Sequence, residues 1–327
     1  MYRRDLKLQR SSLVLQACVV LTALASGTAL AQSAEHKQFL LGADISALAV
    51  PRIDSRLASK HWSLPRYQEN GQQSDELTIL KRHGWNAYRL RVFVSPVREA
   101  PDNSLANTIP LAKRIKDAGG ILVLSLHFSD TWSDPQHQDI PAAWRGNDIK
   151  NLAKLWQSHA RDVIRALRVA GAMPDIVQIG NETTRGAAWP LAQLLEPGST
   201  EHNPPEPYND AKQWSNLTRL LKAGVRGVEQ GAGTHKPLIA IHIDKGGTWS
   251  TTRWYFDHLV AAHIHFDIIA ESFYPPWGHG TLEELKANMQ GCAERYPGKL
   301  FLVAETGYYK AVRPSEDMKW PITPDGR

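Results

Sequence analysis

Seven apolar, strand-like runs alternate with helix-like segments along this chain, and this alternation most narrows the folds it can adopt. Most of the runs are nearly continuous stretches of Val, Ile and Leu, which is typical of parallel strands covered on both faces. Amphipathic helices lie between them, the clearest over residues 150–169. Such alternation predicts repeated βαβ units. The runs cover residues 39–46, 87–94, 121–128, 176–182, 238–244, 267–274 and 300–306.

The predicted architecture is a (β/α)8 barrel of the TIM type, in the α/β class. An open doubly wound sheet is the alternative, but that fold usually carries a phosphate-binding glycine turn after its first strand. Gly42-Ala43-Asp44 is not such a turn. Only seven strands can be read, because the sequence after residue 307 is polar and punctuated by prolines. We therefore expect a C-terminally truncated barrel that lacks its last βα unit.

The first 31 residues have the features of a secretory signal peptide. Four basic residues stand within the first ten, an apolar run follows over residues 13–25, and Ala29-Leu30-Ala31 fits a small-x-small cleavage site. The apolar run is too short to span a bilayer comfortably. We expect a catalytic domain over residues 32–327 that is secreted or periplasmic and not attached to a membrane.

Composition excludes several classes of partner. The chain has 327 residues, 42% of them hydrophobic and 22% charged, as globular domains do. Its formal net charge of +5 falls to about +2 once four basic and one acidic side chain leave with the signal, so no basic patch for nucleic acid is expected. Cys18 leaves as well, and Cys292 alone forms no intrachain disulfide. The eleven Trp residues favour carbohydrate binding, and we expect a monomer.

Two glutamates stand at strand ends and suggest a reaction. Glu182 closes the fourth predicted strand and Glu305 the seventh. A retaining glycoside hydrolase needs two carboxyls about 5 to 5.5 Å apart, one protonated to donate to the leaving oxygen and one ionised to attack the anomeric carbon. The alternative is that both residues merely cap strands on a solvated rim.

Other strands also end in polar side chains. Arg89 and Arg91 share one face of the second strand, where they can position a carboxylate, bind sugar hydroxyls or form salt bridges. The sequence has no His-Glu-x-x-His motif, cysteine cluster or Walker-type glycine loop, which argues against zinc-protease and nucleotide-binding chemistry. The further polar residues at strand ends are His127, His242, Asp244 and Tyr274.

Seven short segments carry a resemblance to a known family. They are 42–46 (GADIS), 89–92 (RLRV), 127–132 (HFSDTW), 179–182 (IGNE), 241–244 (IHID), 272–275 (SFYP) and 303–306 (VAET). Taken in order, they resemble glycoside hydrolase family 53, the arabinogalactan endo-β-1,4-galactanases, which are retaining (β/α)8 enzymes, and the resemblance runs from about residue 41 to the C-terminus.

The resemblance implies a role for each site residue. Glu182 would be the acid/base and Glu305 the nucleophile, while Asn181 would bond the sugar 2-hydroxyl and Tyr274 would hold the nucleophile. Two tryptophans are candidate stacking platforms. The remaining candidate substrate-binding residues are Arg89, Arg91, His127, His242 and Asp244, and the two platforms are Trp132 and Trp249.

The sequence also departs from the family pattern. Relatives usually have an Asp where this chain has Ser125, and an apolar residue where it has Glu271. The family's eighth strand, which ends in Trp-Glu-Pro, cannot be found. We predict no metal site or cofactor from the residues themselves. Calcium is implied only by the resemblance, since some bacterial members of the family bind it in loops near the last two units.

The expected function is that of an endo-acting, retaining hydrolase of β-1,4-galactan in type I arabinogalactan. Residue chemistry alone does not separate this from another polysaccharide hydrolase of the same clan, such as a mannanase. The rival from another class is a non-catalytic or unstable truncated remnant that at most binds carbohydrate, because Ser125, Glu271 and the unread strand depart from the family.

Overall fold

The computed structural model describes residues 39–49, 67–96, 101–198 and 208–307. Within them, seven parallel strands pair in the order in which they follow one another along the chain. Each lies inside one of the seven predicted runs. The strands are β1 (Gly42–Asp44), β2 (Ala87–Val92), β3 (Ile121–Leu126), β4 (Ile176–Ile179), β5 (Leu238–Ile243), β6 (Ile268–Phe273) and β7 (Leu300–Thr306).

Helices connect the strands, as predicted. The last of them begins with a capping box, in which Thr281 and Glu284 exchange hydrogen bonds of 2.7 and 3.2 Å. None of the helices in these ranges is long and apolar enough to cross a bilayer. The helices are α1 (Glu76–Arg82), α2 (Leu105–Asp117), α3 (Ile149–Val169), α4 (Asp210–Ala232), α5 (Trp249–Ala261) and α6 (Leu282–Arg295).

Short elements sit at the ends of several strands and shape the loops there. Five are single 3-10 turns, and four two-residue strands form two hairpins. The turns cover Ser46–Ala49, Pro101–Asn103, Ala142–Trp144, Thr183–Arg185 and Pro275–Trp277, and the hairpins pair Gln68–Glu69 with Gln72–Gln73 and Gly186–Ala187 with Ala192–Gln193.

The sheet curls until its two edge strands reach the same side chain. Arg89 of β2 lies 2.9 Å from Asp44 at the end of β1 and 2.9 Å from Glu305 near the end of β7. The seven strands therefore form a nearly closed barrel, and the predicted fold class is confirmed. The expectation that the last βα unit is missing concerns residues outside the described ranges and stays a prediction.

Glu271 lies on the outer face of β6, between the barrel and the helices that cover it. It is fully buried, and it accepts hydrogen bonds from the Thr252 hydroxyl of α5 (2.8 Å) and the Asn288 amide of α6 (2.5 Å). Burial raises the pKa of Glu271 to about 8, although both hydrogen bonds oppose the rise. The side chain is therefore neutral at pH 7 and ties β6 to two helices without placing a charge in the core.

We predict that Glu271 makes the fold less stable as pH rises. Its pKa is about 8 when folded against 4.5 in the reference state, so the folded chain binds the extra proton between these values. The free energy of unfolding therefore falls across this window, by on the order of 3–5 kcal/mol in total. Glu271→Gln lacks this ionisable proton. The melting temperature of the variant minus that of the wild type should therefore increase from pH 5 to pH 9.

The matched control is Glu294→Gln, on the exposed side of α6. Its melting temperature should differ from that of the wild type by the same small amount at every pH. An offset for Glu271→Gln that is equally independent of pH would contradict the assignment of a buried neutral carboxyl.

Candidate active site

A β-bulge in β7 brings Glu305 to the inside of the barrel. Glu271 pairs with Val303, but the next residue, Ser272, pairs with Glu305, so that Ala304 is the extra residue. Paired residues on neighbouring strands point to the same face. Without the bulge, Ala304 would stand beside Ser272, and Glu305 would turn to the opposite face.

Glu182 follows β4 in a strained backbone conformation. Its φ and ψ of 46° and 52° are left-handed, a region that residues other than glycine seldom occupy and that clusters at functional sites. Gly180, two residues earlier, has φ 77°. The Glu182 side chain is only 8% exposed, and its Oε1 accepts a 2.5 Å hydrogen bond from the Ser272 hydroxyl. The sharp turn thus aims a carboxyl into the barrel mouth.

The two glutamates differ in protonation. Burial, and then the negative charge of Glu305, raise the pKa of Glu182 to about 8. Burial also acts on Glu305, but the charge of Arg89 and the hydrogen bond from Tyr274 outweigh it and lower the pKa of Glu305 below its usual value. At neutral pH one carboxyl is therefore an acid and the other an anion.

Arg89 contacts five residues, which lie on four other strands of the barrel or at their ends. It is buried, and its guanidinium donates only, so each neighbouring oxygen must accept. Its two carboxylate partners are those on β1 and β7 described above. Its uncharged partners are Asn181 Oδ1 (2.7 Å), Gln178 Oε1 (3.2 Å) and Ser125 Oγ (3.2 Å).

The substitution at position 125 leaves Arg89 with sufficient partners. The Ser125 hydroxyl accepts one hydrogen bond from Arg89, and Asp44 and Glu305 supply the negative charges. Asp44 is itself fixed by the backbone N–H and the hydroxyl of Ser46, at 3.0 and 2.7 Å. Asp44 on β1 therefore supplies a negative charge to Arg89, although position 125 carries none in this chain.

Both predicted histidines are buried and neutral. Burial lowers the pKa of His242 to about 3 and that of His127 well below its usual value. His127 Nδ1 accepts from the backbone N–H of Ser133 at 3.2 Å, so the ring proton is on Nε2. That nitrogen has no hydrogen-bond partner within the described residues.

The indole ring of Trp132 lies beside His127. Trp132 is 46% exposed, and its ring lies over the Arg91 guanidinium at 3.7 Å and edge-on to His127 at 6.2 Å. Arg91 also reaches Asp44 at 3.4 Å. Exposed indole beside buried polar groups is suited to stacking on a sugar ring.

Tyr274 contacts the predicted nucleophile directly. Its hydroxyl donates to Glu305 Oε2 at 3.0 Å. Burial, and then the charge of Glu305, raise the pKa of Tyr274 far above neutrality, so the phenol remains a donor and steadies the carboxylate.

Two predicted residues lie apart from this network. Asp244 binds the Thr184 hydroxyl and lies 3.5 Å from Lys245. Trp249 packs against α6, where its ring fills the space above Gly291 and contacts Tyr296 edge-on at 6.5 Å. The stacking role of Trp249 stays a prediction, and its location gives it a packing role.

Sequence reasoning missed Asp44, Gln178 and Ser272 as parts of the site. A signal was present for each: Gln178 is a polar residue inside an apolar strand, and the other two stand close to strand ends. Across the described ranges no group of three or more His, Cys, Asp or Glu side chains is placed to hold a metal ion, and the chemistry below uses none.

Comparisons with known proteins agree with this geometry. The sequence model of glycosyl hydrolase family 53 matches residues 40–321. An uncharacterised protein of Niallia circulans is 36% identical over 286 residues, 88% of this chain and 72% of that protein. A probable arabinogalactan endo-β-1,4-galactanase A of Aspergillus terreus is 34% identical over 286 residues, 86% of this chain and 74% of that protein.

Among solved structures, one from a study of two fungal β-1,4-galactanases matches with a TM-score of 0.70 and 33% identity. The match covers 84% of this chain and 75% of that one. The family match spans most of the chain, and the two glutamates, the arginine that pairs with Glu305 and the barrel around them fit it. The chain belongs to glycosyl hydrolase family 53.

Proposed function

We propose that this protein is an endo-acting β-1,4-galactanase that cleaves the galactan of type I arabinogalactan with retention of configuration. The observation that carries the proposal is the pair of carboxyls with opposite protonation, buried Glu182 neutral and half-buried Glu305 ionised. A retaining glycosidase needs this division of roles.

The first chemical step uses both carboxyls at once. The Glu305 carboxylate attacks the anomeric carbon while the bond to the leaving oxygen breaks and Glu182 gives that oxygen its proton. Arg89 and Tyr274 hold the attacking carboxylate, and the bond from Arg89 to Asn181 fixes an amide where the sugar 2-hydroxyl would lie. In the second step Glu182, now ionised, takes a proton from water, and the water oxygen displaces Glu305 from the sugar.

The choice of galactan rests on the relatives that carry that substrate in their names. The test is a panel of β-1,4-galactan, mannan, xylan and cellulose, with reducing ends measured and the anomer of the first product followed by proton NMR. Fastest release from galactan with the β-anomer formed first is the expected result. Fastest release from mannan would instead support the same-clan alternative, and binding without cleavage the remnant.

Glu182→Gln should block protonation of the leaving group. We expect kcat/KM on galactan to fall by about 10²–10⁴-fold, while kcat/KM on a 2,4-dinitrophenyl galactobioside, whose leaving group needs no proton, changes less than tenfold. Initial rates on both substrates check this. Equal losses on the two substrates would count against Glu182 as the acid.

Glu305→Ala should remove activity on both substrates, because no group remains to form the glycosyl-enzyme. Added azide should then attack in place of Glu305 and give an α-galactosyl azide from the activated substrate. The same reagent with Glu182→Ala should give the β-azide, which makes the two variants controls for one another. Substantial unassisted turnover by Glu305→Ala would mean that another residue is the nucleophile.

The pH dependence of kcat/KM should be bell-shaped. Activity needs Glu182 protonated, so it falls as pH rises through about 8, and it needs Glu305 ionised, so it falls only below pH 4.5. Rates on galactan from pH 3 to 10 check this. Glu182→Gln assayed on the activated substrate should lose the alkaline limb, and retention of that limb would assign it to another group.

We propose further that residues 1–31 are a cleaved signal and that the enzyme acts outside the cytoplasm on a polymer. The basic start, apolar run and small-residue site support this. Mass spectrometry of the exported protein should find Gln32 at the N-terminus. An exported protein that retains Met1 would contradict it.

A further inference from the structure

Ser272 links the acid/base to a buried histidine. It is fully buried at the inner face of β6. Its Oγ lies 2.5 Å from Glu182 Oε1 on one side and 2.9 Å from His242 Nε2 on the other. No step described above uses this residue. The hydroxyl has one proton to give, so the direction of the two hydrogen bonds decides the state of Glu182.

The direction is set at the other nitrogen of the ring. His242 Nδ1 lies 3.4 Å from the backbone N–H of Glu182, which can only donate, and 3.0 Å from Gln178 Nε2. The orientation of the Gln178 amide follows from Arg89, because a guanidinium donates only and Gln178 must turn its oxygen toward it. Gln178 Nε2 has two protons and also faces Gly180 O at 2.8 Å and Ser125 Oγ at 2.9 Å, so the backbone N–H of Glu182 is the donor that makes Nδ1 an acceptor.

One neighbouring oxygen could compete for a proton on Nδ1. Asn181 Oδ1 lies 3.0 Å from it. That oxygen already accepts from Arg89 Nη2 at 2.7 Å, and a proton on Nδ1 would leave the Glu182 N–H facing another donor. The neutral ring therefore carries its proton on Nε2 and donates it to Ser272.

With its oxygen accepting from His242, the Ser272 hydroxyl donates its own proton to Glu182 Oε1. Oε1 is then an acceptor whether Glu182 is ionised or neutral, and the acidic proton of the neutral form must stand on Oε2. The chain of donors runs in one direction, from the Glu182 N–H to His242, from His242 to Ser272 and from Ser272 to the Glu182 carboxyl.

We propose that Ser272 is a positioning residue that holds Glu182 by Oε1, so that Oε2 delivers the proton to the leaving oxygen and later takes one from water. The Oε2–H bond breaks as the glycosidic C–O bond breaks, and the electron pair of that C–O bond stays on the leaving oxygen. The proton of Ser272 is not transferred. This inference rests on the proposed function.

The test compares Ser272→Ala with Ser272→Thr, which keeps the hydroxyl. In Ser272→Ala the carboxyl loses its oriented donor, so kcat/KM on galactan should fall about tenfold while kcat/KM on a 2,4-dinitrophenyl galactobioside changes less than twofold. The donor also favours ionised Glu182, so its loss should move the alkaline limb upward by about one pH unit. Ser272→Thr should stay close to the wild type in both readouts.

A second measurement does not depend on the alanine variant. Nitrogen-15 NMR of the labelled wild type should find His242, identified by the loss of its signals in His242→Gln, as the neutral Nε2–H tautomer. The Nδ1–H tautomer would reverse the chain, place the acidic proton on Oε1 and overturn the proposal. An alkaline limb and a leaving-group dependence unchanged in Ser272→Ala would overturn it as well.

Failure of the proposed function has a different signature. Wild-type protein that releases no reducing ends from galactan would refute the galactanase assignment. The histidine tautomer, and the pKa of Glu182 measured by carbon-13 NMR in wild type and Ser272→Ala, would still test whether Ser272 donates to Oε1.

Discussion

The buried charge of Arg89 is the constraint on which the inside of this barrel depends. A guanidinium in a closed interior is tolerated only when its donors are met and its charge is balanced. Here the barrel supplies both: Asp44 and Glu305 balance the charge, and uncharged oxygens from β3 and from the end of β4 take the remaining donors. Because those partners come from separate strands, one side chain holds the strand ends in fixed relation.

The different roles of the two glutamates follow from the same residue. Glu182 is buried and Glu305 half-buried, and loss of water raises the pKa of both. Arg89 lies 2.9 Å from Glu305, whereas Glu182 meets an uncharged hydroxyl from Ser272. The arginine thus selects which carboxyl ionises, and that anion then raises the pKa of the other. A neutral carboxyl and a carboxylate arise from identical side chains because only one of them touches the cation.

The sequence predicted the strands and the two glutamates because both depend on local pattern. Apolar runs define parallel strands, and a charged residue at the end of such a run stands at the rim of the sheet. The bulge at Ala304 could not be predicted, since it depends on the pairing of β7 with β6. Trp249 was a candidate for stacking on a sugar ring, but its contacts with α6 place it in the outer layer.

Adjacent residues of β6 show how one strand can serve chemistry and stability through opposite faces. Ser272 faces inward and bonds Glu182, while Glu271 faces outward and bonds Thr252 and Asn288. Burial is the main reason that the pKa of Glu182 and the pKa of Glu271 are both raised to about 8. Over the same alkaline pH range, Glu182 therefore loses its proton and Glu271 becomes charged between the barrel and the helices. The two effects differ in kind, because the first reverses at once when pH is lowered, whereas the second acts through unfolding and depends on time and temperature. The effect of Glu182 deprotonation on activity is therefore measured only from initial rates taken before the protein unfolds.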